Sequence, residues 1–353
     1  MPRIEEIDKN FSQTVSEDGL VYMDILNAPV KITGLPWLKK NGNFHRMDEE
    51  FNSQYSDGVR WLSQNTAGAG VCFKTNTQKL GIRVELECVN EMSHMPKNGV
   101  AGVDVYIGTG KNKKFYNVCH AALGTDKYSA VFWFDGNMNE LTLNLPLYAG
   151  VKKMELGFMP ESTIEPAAEY EIPNPILFYG SSITQGGCAS RPGNAYTHFL
   201  GRAVDAEIVN LGFSGNGIGE MIMAEQIASL ELSAFIMDYD HNAPTPEHLK
   251  KTHEPFFKCI REKHPELPVI FVSKPDVDND ISINTIRKGI IYETYKKAVE
   301  SGDKNVWFVD GFSLFGKINR DACTVDGCHP NDLGFYRMAE TILPALREAL
   351  KLK

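Results

Sequence analysis

The sequence predicts an α/β protein in which an all-β sandwich precedes a three-layer αβα domain with a parallel five-stranded sheet. Two observations lead to this prediction. Residues 20–160 hold short, often alternating apolar segments separated by turn residues, and none of them keeps a helical period over three turns. From residue 176 onward, near-continuous apolar runs alternate with amphipathic segments, which is typical of a parallel sheet covered by helices on both faces.

The first half of the chain is interpreted as an antiparallel sandwich. Its strand candidates are rich in β-branched and aromatic residues, and Gly, Asn, Asp and Lys separate them, for example at 110–113 and 135–137. Many short strands with such turns favour two packed sheets. The strand candidates include 71–75, 81–86, 102–107, 129–134 and 140–145.

A proline-rich segment at residues 161–175 is predicted to be a connector. Three prolines lie within it, and Pro160 directly precedes it. Proline fixes the backbone angle φ and removes a hydrogen-bond donor, so the segment is expected to be extended. We therefore predict an N-terminal sandwich domain at 1–160 and a second domain at 176–353.

The second domain is predicted to contain five strand–helix units. Units of this kind join parallel strands through right-handed crossovers and give a sheet between two helical layers. The predicted strands are 176–179, 207–211, 234–238, 268–273 and 305–309. The predicted helices are 194–204, 217–230, 246–264, 283–300 and 332–351.

Composition excludes several classes of protein. The formal net charge is −9 and no cluster of Lys and Arg stands out, which argues against nucleic-acid binding. No apolar run approaches the roughly 20 residues of a membrane span. Residues 1–13 are polar and lack the apolar core of a signal peptide, so the sequence as it stands predicts a cytoplasmic location, or a secreted or periplasmic one if a leader was trimmed. The oligomeric state stays open.

Ser182 is the first candidate catalytic residue. It follows the apolar run 176–179, at the carboxyl edge of the predicted sheet, where open α/β folds place their chemistry. A serine hydroxyl becomes a nucleophile only when a base, usually an oriented imidazole, accepts its proton. Asp326 and His329 lie three residues apart before the last helix, and a compact turn can direct both towards the same edge. This pattern indicates nucleophilic acyl transfer.

Acyl transfer also requires hydrogen-bond donors for the oxyanion. The glycines of 210–217, after the second strand, let a backbone N–H approach a ligand closely, and Asn242, after the third, offers a side-chain amide. Competing interpretations remain: Ser182 as a helix-capping serine, Asn242 as a turn residue, and Cys188 or Cys328 as a thiol nucleophile.

No cofactor and no metal are expected. The seven cysteines are an odd number without a Cys-x-x-Cys motif, and no His, Asp or Glu cluster has metal-ligand spacing. A dinucleotide motif after the second strand fails because Glu220 stands where a glycine is required.

Four blocks of the sequence together resemble the SGNH (GDSL-type) hydrolases. Residues 180–184, Gly-Ser-Ser-Ile-Thr, are similar to the Gly-Asp-Ser-(Leu/Ile)-Thr block, and 326–329 to the Asp-x-x-His block. Residues 210–215 are similar to the second block, with Gly215 at the oxyanion glycine, and Asn242 matches the asparagine of the third. Ser181 departs from the usual Asp, and Asp240 from a usual Gly.

The resemblance implies a flavodoxin-like catalytic domain with a Ser-His-Asp triad. Ser182 would be the nucleophile, His329 the base and Asp326 its orienting partner. The N–H groups of Ser182 and Gly215 and the amide of Asn242 would then bind the oxyanion. The first half resembles the jelly-roll-like sandwich that precedes a subset of these hydrolases, in segments 61–63, 65–68, 92–95 and 102–106.

The implied activity is hydrolysis of short acyl esters, acetyl above all, on small molecules or carbohydrates. Neither nucleic acid nor membrane is an expected partner. A thioesterase or lysophospholipase on the same triad is the nearest alternative, and a catalytically silent carbohydrate-binding protein is the other. The role of the sandwich stays open, including whether its loop with Met92, His94 and Met95 reaches the mouth of the site.

Overall fold

The computed structural model describes residues 16–121 and 124–352. The prediction that residues 1–13 are not a signal peptide therefore concerns a segment outside the described residues. Among the helices of the described ranges, none is long and apolar enough to cross a membrane.

Antiparallel strands form the first half of the described chain. They are β1 (Val21–Asp24), β2 (Lys31–Thr33), β3 (Gly70–Thr75), β4 (Lys79–Val89), β5 (Val103–Ile107), β6 (Lys114–Cys119), β7 (Lys127–Trp133), β8 (Asn139–Asn144), β9 (Ala149–Phe158) and β10 (Ile164–Pro166). One sheet has the order β1-β9-β4-β7 and the other β10-β3-β8-β5-β6, with β2 also paired to β3. Three short helices accompany them: α1 (Leu38–Asn41), α2 (Asp57–Ser63) and α3 (Lys97–Ala101).

The two sheets share one apolar core because their strands alternate between buried and more exposed side chains. In β4, for example, Ile82 and Val84 are buried while Arg83 between them is not. Val71 of β3 and Leu156 of β9 belong to the same buried cluster. The predicted connector contains β10, which pairs with β3 and extends the second sheet.

The second half is a three-layer αβα domain. Its strands are β11 (Ile176–Gly180), β12 (Ile208–Gly212), β13 (Ala234–Asp238), β14 (Val269–Val272) and β15 (Val306–Val309). Its helices are α4 (Ser182–Gln185), α5 (Tyr196–Val204), α6 (Met221–Ala228), α7 (Pro246–Lys263), α8 (Ile281–Glu300) and α9 (Asp332–Ala349). The sheet is parallel with the order β12-β11-β13-β14-β15, so the predicted fold class is confirmed.

This strand order places the end of β11 at the point where the chain reverses its direction across the sheet. Successive strands go from β11 to β12 on one side and continue with β13 on the other. In open α/β sheets a crevice opens at such a point, beyond the carboxyl ends of the strands. Helix α6 begins later than the predicted residue 217, because Gly219 has a φ of 75° and residues 217–220 form a loop there.

A buried arginine joins the sandwich to the αβα domain. Arg46 lies between α1 and α2 and is 0% exposed. Its Nη1 donates to the carbonyl oxygens of Asn210 and Gly212, each at 2.8 Å. Its Nε and Nη2 donate to the carbonyls of Asn65 and Leu62, each at 2.7 Å. Burial lowers the pKa of Arg46 to about 9, which leaves the guanidinium charged at neutral pH.

We expect Arg46→Met to destabilise the protein by about 3 kcal/mol or more. The substitution keeps an apolar stem but leaves four carbonyl groups without their donor in the interior, and each such loss costs about 1–3 kcal/mol. Urea denaturation at pH 7 measures the effect. Lys39→Met is the matched control, because it removes an exposed positive charge from the same segment. A loss of less than about 1 kcal/mol for Arg46→Met would contradict the structural role.

Candidate active site

Ser182 is the first residue of α4, directly beyond the end of β11. The Ser181 hydroxyl accepts a hydrogen bond from the Ile183 N–H at 3.1 Å and so caps this short helix. As the first helical residue, Ser182 has an N–H without an intrahelical acceptor. Gly180 is required before it, because an added Cβ would overlap the Thr184 hydroxyl and the Asp238 carbonyl.

The structure brings Ser182, His329 and Asp326 together in one line of hydrogen bonds. Ser182 Oγ lies 3.0 Å from His329 Nε2, and His329 Nδ1 lies 2.7 Å from Asp326 Oδ2. A carboxylate only accepts hydrogen bonds, so Nδ1 carries the proton and Nε2 is left as an acceptor facing the serine hydroxyl. The arrangement can accept a proton from Ser182.

The loop before α9 holds Asp326 and His329 in this geometry. Besides the ring contact, Asp326 Oδ1 accepts from the backbone N–H of Cys328 at 2.9 Å and of His329 at 2.7 Å. Partial burial raises the pKa of Asp326, but these hydrogen bonds and the His329 ring outweigh it and lower the pKa to about 2. The carboxyl group is therefore ionised throughout the neutral range.

Two further groups proposed for the oxyanion lie on neighbouring loops. Gly215 has a φ of 69° and an open space where a side chain would start, so its backbone faces a free volume. The Asn242 side-chain oxygen accepts a hydrogen bond from the Gly217 N–H at 3.3 Å. Gly217 in turn packs on Gly180, so closely that an added Cβ would overlap the Gly180 carbonyl. The loops after β11, β12 and β13 thus meet at one point.

Comparison with known proteins identifies the family of both halves of the chain. The family model for GDSL-like lipases/acylhydrolases matches residues 173–347, and a model for the N-terminus of SGNH-hydrolase-type esterases matches residues 20–164. The chain belongs to the GDSL-type (SGNH) hydrolases. It is accordingly a hydrolase of ester bonds. No curated protein gives a significant match.

Solved structures extend the likeness over both halves of the chain. A protein of Bacteroides ovatus described as a GDSL-like lipase is 29% identical, with a TM-score of 0.84, covering 95% of this chain and 99% of that one. The salicylyl-acyltransferase SsfX3 of a tetracycline biosynthetic pathway is 18% identical, with a TM-score of 0.78 and coverage of 95% and 98%. A family two carbohydrate esterase of Cellvibrio japonicus is 13% identical, with a TM-score of 0.63 and coverage of 94% and 98%. The latter two show a common fold.

The two departures from the GDSL-type blocks have local explanations. Ser181 supplies the capping oxygen that an Asp would supply at the same position. Asp240 is 1% exposed and pairs with Arg287, 3.3 Å from Oδ1 to Nη1. Arg287 also donates to the carbonyls of Asp240 at 2.9 Å and Ala243 at 2.7 Å, so a buried ion pair fixes the turn that carries Asn242.

Neither cysteine near the site has the properties of a nucleophile. Burial raises the pKa of Cys188 to about 12, and burial together with Asp276 and Asp326 raises the pKa of Cys328 to about 12. A thiolate, which is the reactive form, is therefore rare at neutral pH. Cys328 Sγ instead lies 3.1 Å from the Nε2 of His241.

Two groups of side chains in the described ranges have ligand atoms within 4.8 Å of one another and so fit a metal ion: His94 with Asp326 and His329, and His241 with Asp276 and Cys328. Sequence spacing gives no sign of either group, because each combines residues from separate loops. His94 lies on the sandwich loop between β4 and β5, so this loop does reach the mouth of the site. Sequence analysis left that point open.

Sequence analysis missed Asp238, a buried carboxyl group that lies opposite Gly180 in the sheet. It lies at the end of β13 and accepts from the hydroxyls of Thr184 at 3.0 Å and Tyr196 at 2.8 Å. Burial raises the pKa of Asp238 to about 7, although the two hydroxyl groups oppose the shift. Its only sequence signal is its position at a strand end.

We expect ionisation of Asp238 to lower the unfolding free energy of the wild type relative to Asp238→Asn as the pH rises from about 4 to about 7. The folded protein keeps the Asp238 proton to a higher pH than the unfolded chain, whose carboxyl titrates near 4, so ionisation favours unfolding in that window. Asp238→Asn removes this titration, so the stability difference between wild type and variant should fall by about 1.4 kcal/mol per unit of pKa difference. The buried His198 and His253, whose pKa values burial lowers to about 3, change stability in the opposite direction but equally in both proteins. Urea denaturation at pH 4.5 and pH 8 measures it.

Asp57→Asn serves as the control for Asp238→Asn, because the Asp57 side chain is 93% exposed. This variant should follow the wild-type pH dependence. A wild-type stability that does not decline relative to Asp238→Asn across the window would contradict the raised pKa.

Proposed function

We propose that this chain is a serine esterase that hydrolyses short acyl esters, acetyl esters foremost, of small molecules or carbohydrates. The proposal rests above all on one observation, the 3.0 Å contact between Ser182 Oγ and a His329 ring whose other nitrogen lies 2.7 Å from Asp326. A nucleophile, a base and an orienting carboxylate in hydrogen-bond order are what acyl transfer through an acyl-enzyme requires.

In the first step Ser182 Oγ attacks the ester carbonyl carbon while His329 Nε2 accepts the hydroxyl proton. The carbonyl oxygen becomes an oxyanion, for which the N–H groups of Ser182 and Gly215 and the Asn242 amide are the proposed donors. His329 then gives its proton to the leaving alcohol oxygen as the carbon–oxygen bond breaks. Asp326, ionised because its pKa is about 2, stabilises the imidazolium that exists between these events.

The second half of the reaction repeats these steps with water. His329 Nε2 accepts a proton from a water molecule, whose oxygen attacks the acyl carbon on Ser182 Oγ. The same donors bind the second oxyanion. When it collapses, the proton on His329 returns to Ser182 Oγ and the acid leaves, so the enzyme is regenerated with one ester bond and one water molecule consumed.

Two observations support a short acyl group and a polar alcohol. Ser182 is 4% exposed, and the cleft of about 590 Å³ that Asp326 lines includes neither Ser182 nor His329, whereas a long acyl chain needs an apolar channel at the nucleophile. The Cellvibrio japonicus relative is a carbohydrate esterase, which supports sugar esters as a substrate class.

The first test is a Ser182→Ala variant assayed on p-nitrophenyl acetate. We expect kcat/KM to fall by at least about 10³-fold, because the oxyanion donors remain but no nucleophile does. A fluorophosphonate probe should label the wild type at Ser182 alone, as found by peptide mapping. Ser129→Ala, an exposed serine on β7, is the matched control and should keep both activity and labelling. Labelling at another residue would reject Ser182 as the nucleophile. A Ser182→Ala variant that matches the wild type on every ester would reject the mechanism and favour a catalytically silent carbohydrate-binding protein.

The second test measures kcat/KM for p-nitrophenyl esters of increasing acyl length. We expect acetate to be the best substrate and the rate to decline from about four carbons onward, because burial around Ser182 limits the acyl group. A thioesterase or lysophospholipase would gain about 0.8 kcal/mol for each additional buried CH₂ group. A preference for chains of about eight carbons or more would therefore reject the acetyl assignment and leave the triad intact.

A further inference from the structure

We infer that His94 binds the leaving alcohol of the substrate through a hydroxyl group adjacent to the ester oxygen. The inference rests on the proposed esterase function and names the alcohol class, a 1,2-diol or polyol monoester such as a sugar ester. By this inference the sandwich contributes to substrate binding. His94 lies on the loop between β4 and β5, whereas the other proposed site groups lie on the αβα domain.

The His94 ring lies beside the ring of His329. Their centroids are 5.5 Å apart with planes inclined by 56°, and a His94 nitrogen lies within 4.8 Å of ligand atoms of both His329 and Asp326. His94 is exposed, and no residue of 16–121 or 124–352 forms a hydrogen bond with its ring. An imidazole has one donor and one acceptor, so both remain available to a bound molecule.

The reaction geometry determines which part of the substrate meets His94. His329 must transfer its proton to the leaving oxygen, so that oxygen lies at His329 Nε2 during bond cleavage. The carbonyl oxygen of the ester faces the proposed oxyanion donors on the loops after β11, β12 and β13, so the part of the ester at His329 is the alcohol. A group beside the His329 ring therefore contacts the alcohol, and a neighbouring hydroxyl of that alcohol is its nearest polar atom.

Packing holds the loop of His94 against the αβα domain. Met95, the next residue, is 5% exposed. Gly99 of α3 packs so closely on Ala189 that an added Cβ would overlap the Ala189 carbonyl. The backbone of Cys188, one residue earlier, donates to the Pro330 carbonyl at 2.8 Å, next to His329. A short chain of contacts thus sets the distance between the two imidazole rings.

The test combines two enzymes with two substrates. We compare 2-hydroxyethyl acetate with propyl acetate, which has the same chain length without the hydroxyl, on the wild type and on His94→Ala. The ratio of kcat/KM between the substrates should fall about three- to tenfold on substitution, as expected for one neutral hydrogen bond. The intrinsic difference in leaving-group reactivity cancels, because it is the same for both enzymes. His94→Gln, which keeps a donor and an acceptor, should restore part of the ratio.

Glu91→Gln, an exposed change on the same loop, is the control and should leave the ratio unaltered. An unaltered ratio in His94→Ala, with both acetates still hydrolysed, would overturn the inference while leaving the esterase function in place. An equal loss on both substrates would also overturn it, since that result indicates a structural effect. Failure of the proposed function is a separate result, namely hydrolysis of both acetates by Ser182→Ala at the wild-type rate.

Discussion

The buried guanidinium of Arg46 is the interaction on which the architecture of the site depends. The last carbonyls of β12 face the sandwich, where they have no neighbouring strand to donate to them. Arg46 satisfies those of Asn210 and Gly212 and, with the same group, those of Leu62 and Asn65 in the sandwich. A buried charge without a carboxylate partner is costly, and four carbonyl dipoles offset the cost. The turn that carries Gly215 is consequently anchored by the N-terminal half of the chain.

The side-chain amide of Gln185 forms a second link between the sandwich and the αβα domain. The Nε2 of Gln185, at the end of α4, donates to the Asn65 side chain at 3.0 Å and to the Leu147 carbonyl at 3.1 Å, while its Oε1 accepts from the Ser214 N–H at 3.0 Å. The helix that begins with Ser182, the turn that carries Ser214 and Gly215, and the sandwich therefore share one network, in which both polar side-chain atoms of Gln185 have partners. This explains why the two halves of the chain form one site although they differ in fold.

Sequence analysis succeeded where a signal is local. Apolar runs located β11 to β15 within one or two residues. The strand-end positions and the four blocks selected Ser182, His329 and Asp326, which lie within hydrogen-bond distance in the structure, and their catalytic roles stay a prediction. Sequence analysis failed for contacts that carry no motif. Arg46 and Gly212 are 166 residues apart, and Arg287 lies 47 residues from Asp240, so no spacing predicts either pair. A positive charge in a polar segment is usually exposed, and only the folded chain reveals these two as buried.

The contact between His241 and Cys328 connects the loop that carries Asn242 to the loop that carries His329. The distance between these loops sets the distance between the proposed base and a proposed oxyanion donor. His241 precedes Asn242 on the oxyanion side, and Cys328 precedes His329 on the acid–base side, with 3.1 Å between Nε2 and Sγ. Asp276 Oδ1 lies 3.2 Å from His241 Nδ1 without hydrogen-bond geometry, and the raised pKa of Cys328 keeps its thiol protonated, so the thiol can donate to Nε2. Catalysis by preorganised donors requires the base and the oxyanion site to stay at a constant distance. The contact of the Cys328 thiol therefore helps to hold these two loops at a constant distance, and the protonated thiol is the form that makes this contact.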